Sequence, residues 1–460
     1  MQREKFSSRL GFLLISAGCA IGLGNVWRFP FITGKYGGAA FVLIYLIFLL
    51  ILGLPIMVME FAVGRASQKS IAVAFDQLEP KGSKWHIYKY FGMAGNYLLM
   101  MFYTTVGGWM FIYFFKMLRG EFEGLEAKQI SDIFNGMLAQ PVQMFVWMVV
   151  VVILCFGVCS RGLQKGVEKI TKWMMLSLFF IMIALAIRSV TLPGASEGLS
   201  FYLLPDFSKI AENGIFNSIY AAMGQSFFTL SLGIGAVAIF GSYIGRERAL
   251  TGEAISVTLL DTSVALIAGL IIFPACFSFD INVGSGPSLI FITLPNVFNT
   301  MPGGRIWGAL FFVFLAFAAL STIIAVFENI ISFGMDLRGW SRKKAILVNL
   351  IAIILLSIPC ILGYNVFKGF QPFGPQTTIQ DLEDFLDTNI ILPLGSLVFL
   401  TFCVTRYGWG WNNFLNEANQ GKGIKFPVAV RFYVTYILPL IIIFIFIWGI
   451  LGKIFPQLAV

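Results

Sequence analysis

The chain has 460 residues, of which 58% are hydrophobic and 12% are charged, and its formal net charge is +9. A soluble domain cannot bury so much apolar side-chain surface, so the composition excludes one and predicts a polytopic membrane protein. The apolar runs are continuous and do not alternate with polar residues, which excludes a membrane β-barrel.

About 11 apolar runs approach the roughly 20 residues that a helix needs to cross the hydrocarbon core. These runs are residues 8–34, 38–64, 88–118, 143–159, 167–189, 213–242, 250–278, 305–336, 344–363, 385–405 and 428–452. Lys and Arg are concentrated in alternate connections, beginning with Arg3, Lys5 and Arg9. The positive-inside rule therefore predicts a protein of the cell inner (plasma) membrane with a cytoplasmic N-terminus and an extracytoplasmic C-terminus. The basic charge then reflects topology and contact with membrane lipid, and no nucleic-acid partner is expected.

The first run contains an unusual stretch, AIGLGNVWRFP, at Ala20–Pro30. Glycines, an asparagine and an arginine at bilayer depth are costly unless they surround a cavity or a ligand. The sixth run is interrupted in the same way by SLGIG, at Ser231–Gly235. A discontinuous helix in each half of a membrane protein is typical of a transporter binding site. The alternative is helix packing through the GxxxG pattern at Gly18–Gly22, which does not account for Asn25 and Arg28.

The order of the interrupted runs indicates an internal symmetry. Five spans separate the starts of the two runs, and an odd number turns the second unit over relative to the first. We therefore expect one transporter domain over 1–460, with a five-helix repeat at 8–189, an inverted repeat at 213–405 and an additional helix at 428–452.

Three stretches, SRLGFLLISAGCAIGLGNVWRFP, GGAAFVLIYLIFLLILGLPIMVMEFAVGR and GQSFFTLSLGIGA, resemble the neurotransmitter:sodium symporters. The likeness is strongest to the bacterial amino-acid transporters with the leucine-transporter fold. It implies an all-α membrane protein of 11 transmembrane helices, a 5+5 inverted repeat and discontinuous helices 1 and 6. It also implies a sodium-coupled symporter of hydrophobic or aromatic L-amino acids that works by alternating access. A non-transporting amino-acid sensor on the same fold is the alternative, and no motif points to an enzyme.

The resemblance implies two sodium ions. The ligands of the first are Ala20, Asn25, Thr229 and Asp261, with the substrate carboxylate in addition, and those of the second are Gly18, Ile21, Ala318, Ser321 and Thr322. The residues themselves support this chemistry, because carbonyls freed at a helix break suit a hard cation and the N-terminus of a half-helix suits an anion. For Ser321 and Thr322 the alternative is a hydrogen bond back to their own helix.

Asp261 also bears on chloride. Many relatives have Asn at this position, and the chloride-dependent ones have Ser four residues later, where this chain has Ala265. A fixed carboxylate beside the first sodium would supply the charge that chloride supplies elsewhere, so we expect chloride-independent transport. Tyr45 and Gln225, at the other chloride-site positions, are nevertheless present. Alternatively, Asp261 pairs with a neighbouring polar group and has no role in transport.

The substrate pocket follows from the same resemblance. Its predicted residues are Ala20, Gly22, Leu23, Gly24, Leu99, Tyr103, Phe228, Ser231, Ile234, Thr322 and Val326. Relatives that carry biogenic amines have Asp in place of Gly22, so a glycine favours a substrate that brings its own carboxylate. Tyr103 is expected to bind that carboxylate and to close over it with Phe228. Apolar walls reject charged side chains, which leaves leucine, methionine, tyrosine, phenylalanine and tryptophan open.

Alternating access requires a gate on each side of the pocket. The resemblance assigns Arg28 and Asp384 to the outer gate, with Glu383 as the alternative acid, and Arg3 and Asp336 to the inner gate. Neighbours expected at the inner gate are Phe6, Ser242, Tyr243 and Glu328. Arg28 has a second interpretation, in which it extends to the outer membrane interface. The protein is expected to be a monomer or a weak dimer.

Overall fold

The computed structural model describes residues 6–212, 214–279 and 289–454, and this part of the chain is helical, with no β-strand. The helices of the first half are α1 (Arg9–Ala20), α2 (Gly24–Lys35), α3 (Ala39–Ser67), α4 (Ile71–Leu78), α5 (Trp85–Arg119), α6 (Ala127–Leu138), α7 (Pro141–Ser160), α8 (Leu163–Val190), α9 (Ala195–Leu203) and α10 (Phe207–Glu212). Those of the second half are α11 (Ile215–Thr229), α12 (Ala236–Gly241), α13 (Leu250–Ser278), α14 (Leu289–Thr300), α15 (Gly304–Arg338), α16 (Arg342–Gly363), α17 (Ile379–Val404), α18 (Trp411–Ala418) and α19 (Val428–Lys453).

Within the described residues, 9 helices are long and apolar enough to cross a membrane, and α1 with α2 makes 10 if that bent pair is one span. The predicted sixth span corresponds to α11 and α12, which are separated by residues 230–235. The all-α fold class is confirmed, as are the discontinuities in the first and sixth predicted spans. The number of eleven spans stays a prediction, because the sixth is divided into two short helices.

The first break lies between α1 and α2. Helix α1 begins after Ser8, whose hydroxyl accepts a hydrogen bond from the Gly11 amide at 3.0 Å. It ends at Ala20, and the next residue, Ile21, has an extended backbone with a ψ of 102°. The chain then turns by 57° into α2. Helix α2 starts with a wide turn in which the Phe29 amide donates to the Gly24 carbonyl five residues back. The break therefore exposes backbone groups of residues 21–24 inside the protein.

The second break lies between α11 and α12 and has a left-handed backbone. Its residues with positive φ are Ser231 (51°), Gly233 (94°) and Gly235 (72°). Polar side chains from neighbouring helices satisfy its freed backbone groups. Glu60 of α3 accepts from the Gly233 amide at 2.5 Å, and Tyr88 donates to the Gly233 carbonyl. Asn96 of α5 donates to the Ile234 carbonyl at 2.8 Å. A break buried among helices needs such partners, because no water is there to replace the lost helical bonds.

Helix α15 runs through the centre of the bundle and packs against α1, α5 and α8. Its middle carries Ser321 and Thr322, both buried, against the end of α1. On the other side of the first break, α13 places Asp261 against α2 and the end of α11. This packing positions the two breaks and two polar clusters around a common centre.

Candidate substrate and sodium sites at the helix breaks

The first polar cluster joins Asn25, Thr229 and Asp261, all of which are fully buried. The Asn25 amide donates to Asp261 Oδ1 at 2.8 Å and to Thr229 Oγ1 at 3.2 Å. The Thr229 hydroxyl donates to Asp261 Oδ2 at 3.0 Å. Asn25 Oδ1 accepts from the Gly22 amide at 3.1 Å, which ties the cluster to the first break. In the described part of the chain no basic side chain pairs with Asp261, so the cluster combines neutral oxygens with one carboxylate, a set suited to a hard cation.

The second cluster consists of oxygens from α1 and α15. Thr322 Oγ1 lies 3.3 Å from the Gly18 carbonyl, 3.1 Å from that of Ile21 and 3.4 Å from that of Ala318. Ser321 Oγ lies 2.9 Å from the Ala318 carbonyl and 3.4 Å from that of Ile21. The hydroxyls therefore bond back to their own helix and also reach across to α1. Two hydroxyl protons cannot satisfy all these contacts, so the cluster has more acceptors than donors, as a cation site does.

A narrow cavity adjoins the first break and the second cluster. It is lined by Ala20, Gly22, Gly24, Leu99, Tyr103, Phe228, Ser231, Ile234, Thr322, Asp387 and Leu392. Nine of these residues were predicted from the sequence. The open space is about 20 Å³, enough for roughly one water molecule, so any larger ligand enters only if the walls move apart.

Two predicted pocket residues occupy other places. Leu23 does not line the narrow cavity but a second, wider cavity that is described below. Its backbone amide donates to the Tyr103 hydroxyl at 2.7 Å. Val326 is fully buried on α15 but is not among the lining residues. Sequence reasoning missed Asp387 and Leu392. An acidic residue inside a membrane span is itself a signal of function, and this rule would have found Asp387.

Gly22 leaves room for Tyr103. A Cβ atom at Gly22 would lie 2.1 Å from the Tyr103 hydroxyl and 2.7 Å from Thr322 Oγ1. A Cβ atom at Gly24 would lie 2.8 Å from Cε1 of Phe228. Any side chain at Gly22 would therefore displace the Tyr103 hydroxyl. With glycine there, the Tyr103 hydroxyl, which accepts from the Leu23 amide, lines the cavity and can donate its proton to an anionic group.

A wider cavity of about 490 Å³ lies outside the narrow one. Its lining includes Arg28, Tyr103, Phe228 and Asp384. The Arg28 guanidinium carbon lies 4.3 Å from the centre of the Phe228 ring, and one of its terminal nitrogens has no hydrogen-bond partner. Among the described residues, no ion pair within 4.0 Å joins Arg28 to an acid. Asp384 lines this cavity and Glu383 does not, so Asp384 is the acid that shares a space with Arg28.

Of the predicted inner gate, Arg3 lies outside the described residues. Asp336 accepts hydrogen bonds from the Ser70 amide at 2.9 Å and from Lys69 Nζ at 3.4 Å. The Phe6 ring packs edge-on against Tyr243, with centroids 5.6 Å apart.

Tyr243 connects this region to a buried ion pair. Its hydroxyl donates to Glu328 at 3.0 Å, and Glu328 pairs with Arg342. Ser242, beside Tyr243, is fully buried and donates to the Ile239 carbonyl of its own helix at 2.6 Å. Of the predicted neighbours of the inner gate, Tyr243 and Glu328 therefore belong to a network that joins the end of α12 to α15 and α16.

Comparisons with known proteins bear on this arrangement. The model of the sodium:neurotransmitter symporter family matches residues 3–135 and 121–457. The chain belongs to that family. The uncharacterized sodium-dependent transporter YhdH of Bacillus subtilis is 36% identical to this symporter over 445 residues, which are 96% of this chain and 97% of the relative. An uncharacterized sodium-dependent transporter of Haemophilus influenzae is 35% identical, over 97% of this chain and 98% of its own.

A solved structure supports the same conclusion. The crystal structure of MhsT in complex with L-phenylalanine superposes on this symporter with a TM-score of 0.86 and 36% sequence identity. The match covers 97% of this chain and 100% of that one. The resemblance to the neurotransmitter:sodium symporters with the leucine-transporter fold is thereby confirmed. The chain is a multi-pass sodium-dependent transporter and not an enzyme.

The positions that the family resemblance associates with chloride lie close to the first cluster. Tyr45, Gln225 and Ala265 are fully buried. Gln225 Nε2 donates to the Gly24 carbonyl at 3.1 Å, so it supports the first break from α11. Ala265 has no hydroxyl to offer an anion, and the Asp261 carboxylate lies one turn before it on α13.

Proposed function

We propose that this transporter couples sodium to the movement of a hydrophobic or aromatic L-amino acid by alternating access. One observation carries the proposal. At the first break, an anion-binding corner centred on the Tyr103 hydroxyl, which accepts from the Leu23 amide and can donate its own proton, lies beside the buried Asn25–Thr229–Asp261 cluster. An amino-acid zwitterion with a sodium ion satisfies both, because its carboxylate bonds to the corner and completes the coordination of the cation.

Two sodium ions are proposed. The first binds Ala20, Asn25, Thr229, Asp261 and the substrate carboxylate, and the second binds Gly18, Ile21, Ala318, Ser321 and Thr322. The excess of acceptor oxygens in the second cluster supports the second ion, since a cation takes up lone pairs that two hydroxyl protons leave unused.

The proposed substrate class rests on the cavity wall. Leu99, Phe228, Ile234 and Leu392 present apolar surface, which favours apolar and aromatic side chains. MhsT, whose fold this chain shares, was crystallised with L-phenylalanine. Proposed chloride independence rests on Asp261, which already supplies a negative charge where chloride-dependent relatives bind the anion.

The remaining features of transport are proposed with it. Arg28 and Asp384 form the outer gate, and Arg3 and Asp336 form the inner gate. The repeats at 8–189 and 213–405 move relative to each other, so that the pocket opens in turn to each side of the membrane. The N-terminus lies in the cytoplasm and the C-terminus lies outside. The protein is a monomer or a weak dimer.

The test is a thermal-shift panel on the detergent-purified protein, with the common amino acids in sodium chloride, potassium chloride and sodium gluconate. A ligand at 100 times its Kd stabilises the folded state by about 2.7 kcal/mol. We expect stabilisation by a few apolar or aromatic amino acids in both sodium salts and not in potassium chloride. Equal stabilisation in potassium would refute both sodium sites. Uptake into proteoliposomes under a sodium gradient then separates a transporter from a sensor, which binds without flux.

A further inference from the structure

Asp387 is a buried acid for which the transport mechanism above has no use. It lies on α17 inside a wide turn, where the Leu392 amide donates to the Asp387 carbonyl five residues back. Its side chain is 0% exposed, and neither carboxylate oxygen has a hydrogen-bond partner in the described part of the chain. It nevertheless lines the narrow cavity together with Leu99 and Ile234.

The carboxylate lies at the end of the cavity away from Tyr103. Gly95, Leu99 and Tyr103 follow one another at intervals of four residues and therefore share one face of α5. From Tyr103 back to Gly95 is about 12 Å along the helix axis. A Cβ atom at Gly95 would lie 3.7 Å from Asp387 Oδ1. A substrate whose carboxylate binds near Tyr103 thus extends its side chain past Leu99 towards Asp387.

Among the residues that the structure describes, none compensates for this acid. The residues that line the cavity include no Lys, Arg or His. The nearest charged residue along the helix is Asp384, three positions earlier, which is another acid. Burying a carboxylate without a hydrogen-bond donor is strongly unfavourable. Asp387 lines the cavity, so a molecule bound there can supply the missing donor.

We propose that Asp387 determines specificity by accepting a hydrogen bond from a donor at the end of the substrate side chain. This inference rests on the proposed function and narrows its substrate class. The apolar residues around Asp387 suit a ring, so tyrosine and tryptophan, with their O–H and N–H groups, are the expected substrates. Phenylalanine fills the same walls but leaves Asp387 without a partner.

The experiment compares matched ligand pairs on the purified full-length protein in sodium chloride and potassium chloride. The pairs are tyrosine with phenylalanine, tryptophan with 2-naphthylalanine and lysine with norleucine. The wild type is compared with Asp387→Leu, which removes both acceptor oxygens, and with Asp387→Asn, which retains one. We expect the ratio of tyrosine to phenylalanine affinity to fall at least about tenfold in Asp387→Leu and less in Asp387→Asn.

The matched control is Glu383→Gln. Glu383 lies on the same helix, is 3% exposed and also has two unpartnered carboxylate oxygens, but it does not line the cavity. Its substitution should leave the affinity ratios unchanged. An equal fall in Glu383→Gln would show that loss of any buried acid on α17 has this effect, and would overturn the proposal.

The outcomes distinguish this inference from the proposed function. If wild-type protein binds none of the apolar or aromatic amino acids in a sodium-dependent manner, the proposed function fails. If sodium-dependent phenylalanine binding is present but Asp387→Leu leaves all three ratios unchanged, only the role of Asp387 is overturned. A change confined to the lysine pair would support Asp387 as the acceptor and identify the donor as an ammonium group.

Discussion

The two oxygen clusters at the first break differ in charge. The cluster of Asn25, Thr229 and Asp261 contains a buried carboxylate, and each of its polar side chains has a partner inside the cluster. The cluster around Ser321 and Thr322 contains only hydroxyls and backbone carbonyls. Both are buried and both adjoin the same break, so their difference is one of chemistry and not of position.

The difference predicts how each site responds to damage. A carboxylate supplies most of the attraction for a cation in a site of low dielectric constant, so the first site depends on one side chain. Five neutral oxygens each contribute a small part, so the second site depends on how closely α1 and α15 pack. The first cluster also joins α2, α11 and α13, whereas the second joins two helices. Substitutions in the first cluster should therefore weaken sodium binding severely, and substitutions in the second cluster should weaken it by smaller steps.

The strongest test of this comparison is Asp261→Ala. It removes the one charge of the first cluster and leaves the Thr229 hydroxyl without its carboxylate acceptor. The Asn25 amide loses its bond to Asp261 Oδ1 and keeps only its neutral acceptors, the Thr229 hydroxyl and the backbone carbonyl of residue 261. We expect sodium-dependent amino-acid binding to weaken by more than about 100-fold, since hydrogen bonds to charged groups are each worth about 1.5–3 kcal/mol. Sodium titrations of ligand-induced thermal shift would measure it. Asp206→Asn, at an exposed acid, is the control, and an undiminished sodium response in Asp261→Ala would contradict the assignment.

Next in size is the effect of Gly22→Ala. The added methyl group would lie 2.1 Å from the Tyr103 hydroxyl, so the hydroxyl must leave the carboxylate corner. We expect amino-acid affinity to fall about 30-fold to 100-fold, equivalent to about 2–3 kcal/mol for one lost and one unsatisfied hydrogen bond. Isothermal titration in sodium chloride would measure the change.

A second substitution tests the reason for that loss. In the double variant Gly22→Ala, Tyr103→Phe the nearer obstructing oxygen is absent, and the Thr322 hydroxyl at 2.7 Å remains. Adding Gly22→Ala to Tyr103→Phe should therefore lower the affinity by less than adding it to the wild type. Gly157→Ala, where no atom lies within 4 Å of the new methyl group, is the matched control. Additive losses in the double variant would show that the two residues act independently.

A graded effect is expected in the neutral cluster. Ser321→Ala removes a hydroxyl that contacts the Ala318 and Ile21 carbonyls, without changing the lining of the narrow cavity. We expect sodium affinity to fall about fivefold, since one neutral hydrogen-bonding group is worth about 1 kcal/mol. Ser160→Ala removes an exposed serine that bonds back to Gly157 and should have no effect. If Ser321→Ala lowered sodium affinity as much as Asp261→Ala does, the proposed difference between the clusters would be wrong.

How far the sequence predicts these regions depends on the kind of residue. The breaks were predictable because Gly22, Gly24 and the SLGIG stretch contradict a continuous span. The pairing of Ser321 and Thr322 with α1 could be given only through the family resemblance, because residue spacing alone does not show which helices meet.

Asp387 and Val326 show where such prediction stops. The wide turn at Leu386–Ile391 changes the rotation of α17, so helical periodicity does not show which of its residues face the cavity. Val326 lies one turn after Thr322 on α15 but faces the packed interior. For both residues the deciding factor is tertiary packing, which a single sequence does not contain.

The smallest expected effect is that of chloride. In the wild type the fixed charge of Asp261 already balances a sodium ion, so replacing chloride by gluconate should change uptake by less than about twofold, well under 1 kcal/mol. In Asp261→Asn that charge is absent, and added chloride should partly restore binding, since Tyr45 and Gln225 still line the region. Uptake by the wild type that vanishes in gluconate would mean that Asp261 does not replace the anion. The first cluster would then require a bound anion in addition to its own side chains. The two clusters would differ in the geometry of their oxygens and not in the charge that the protein supplies.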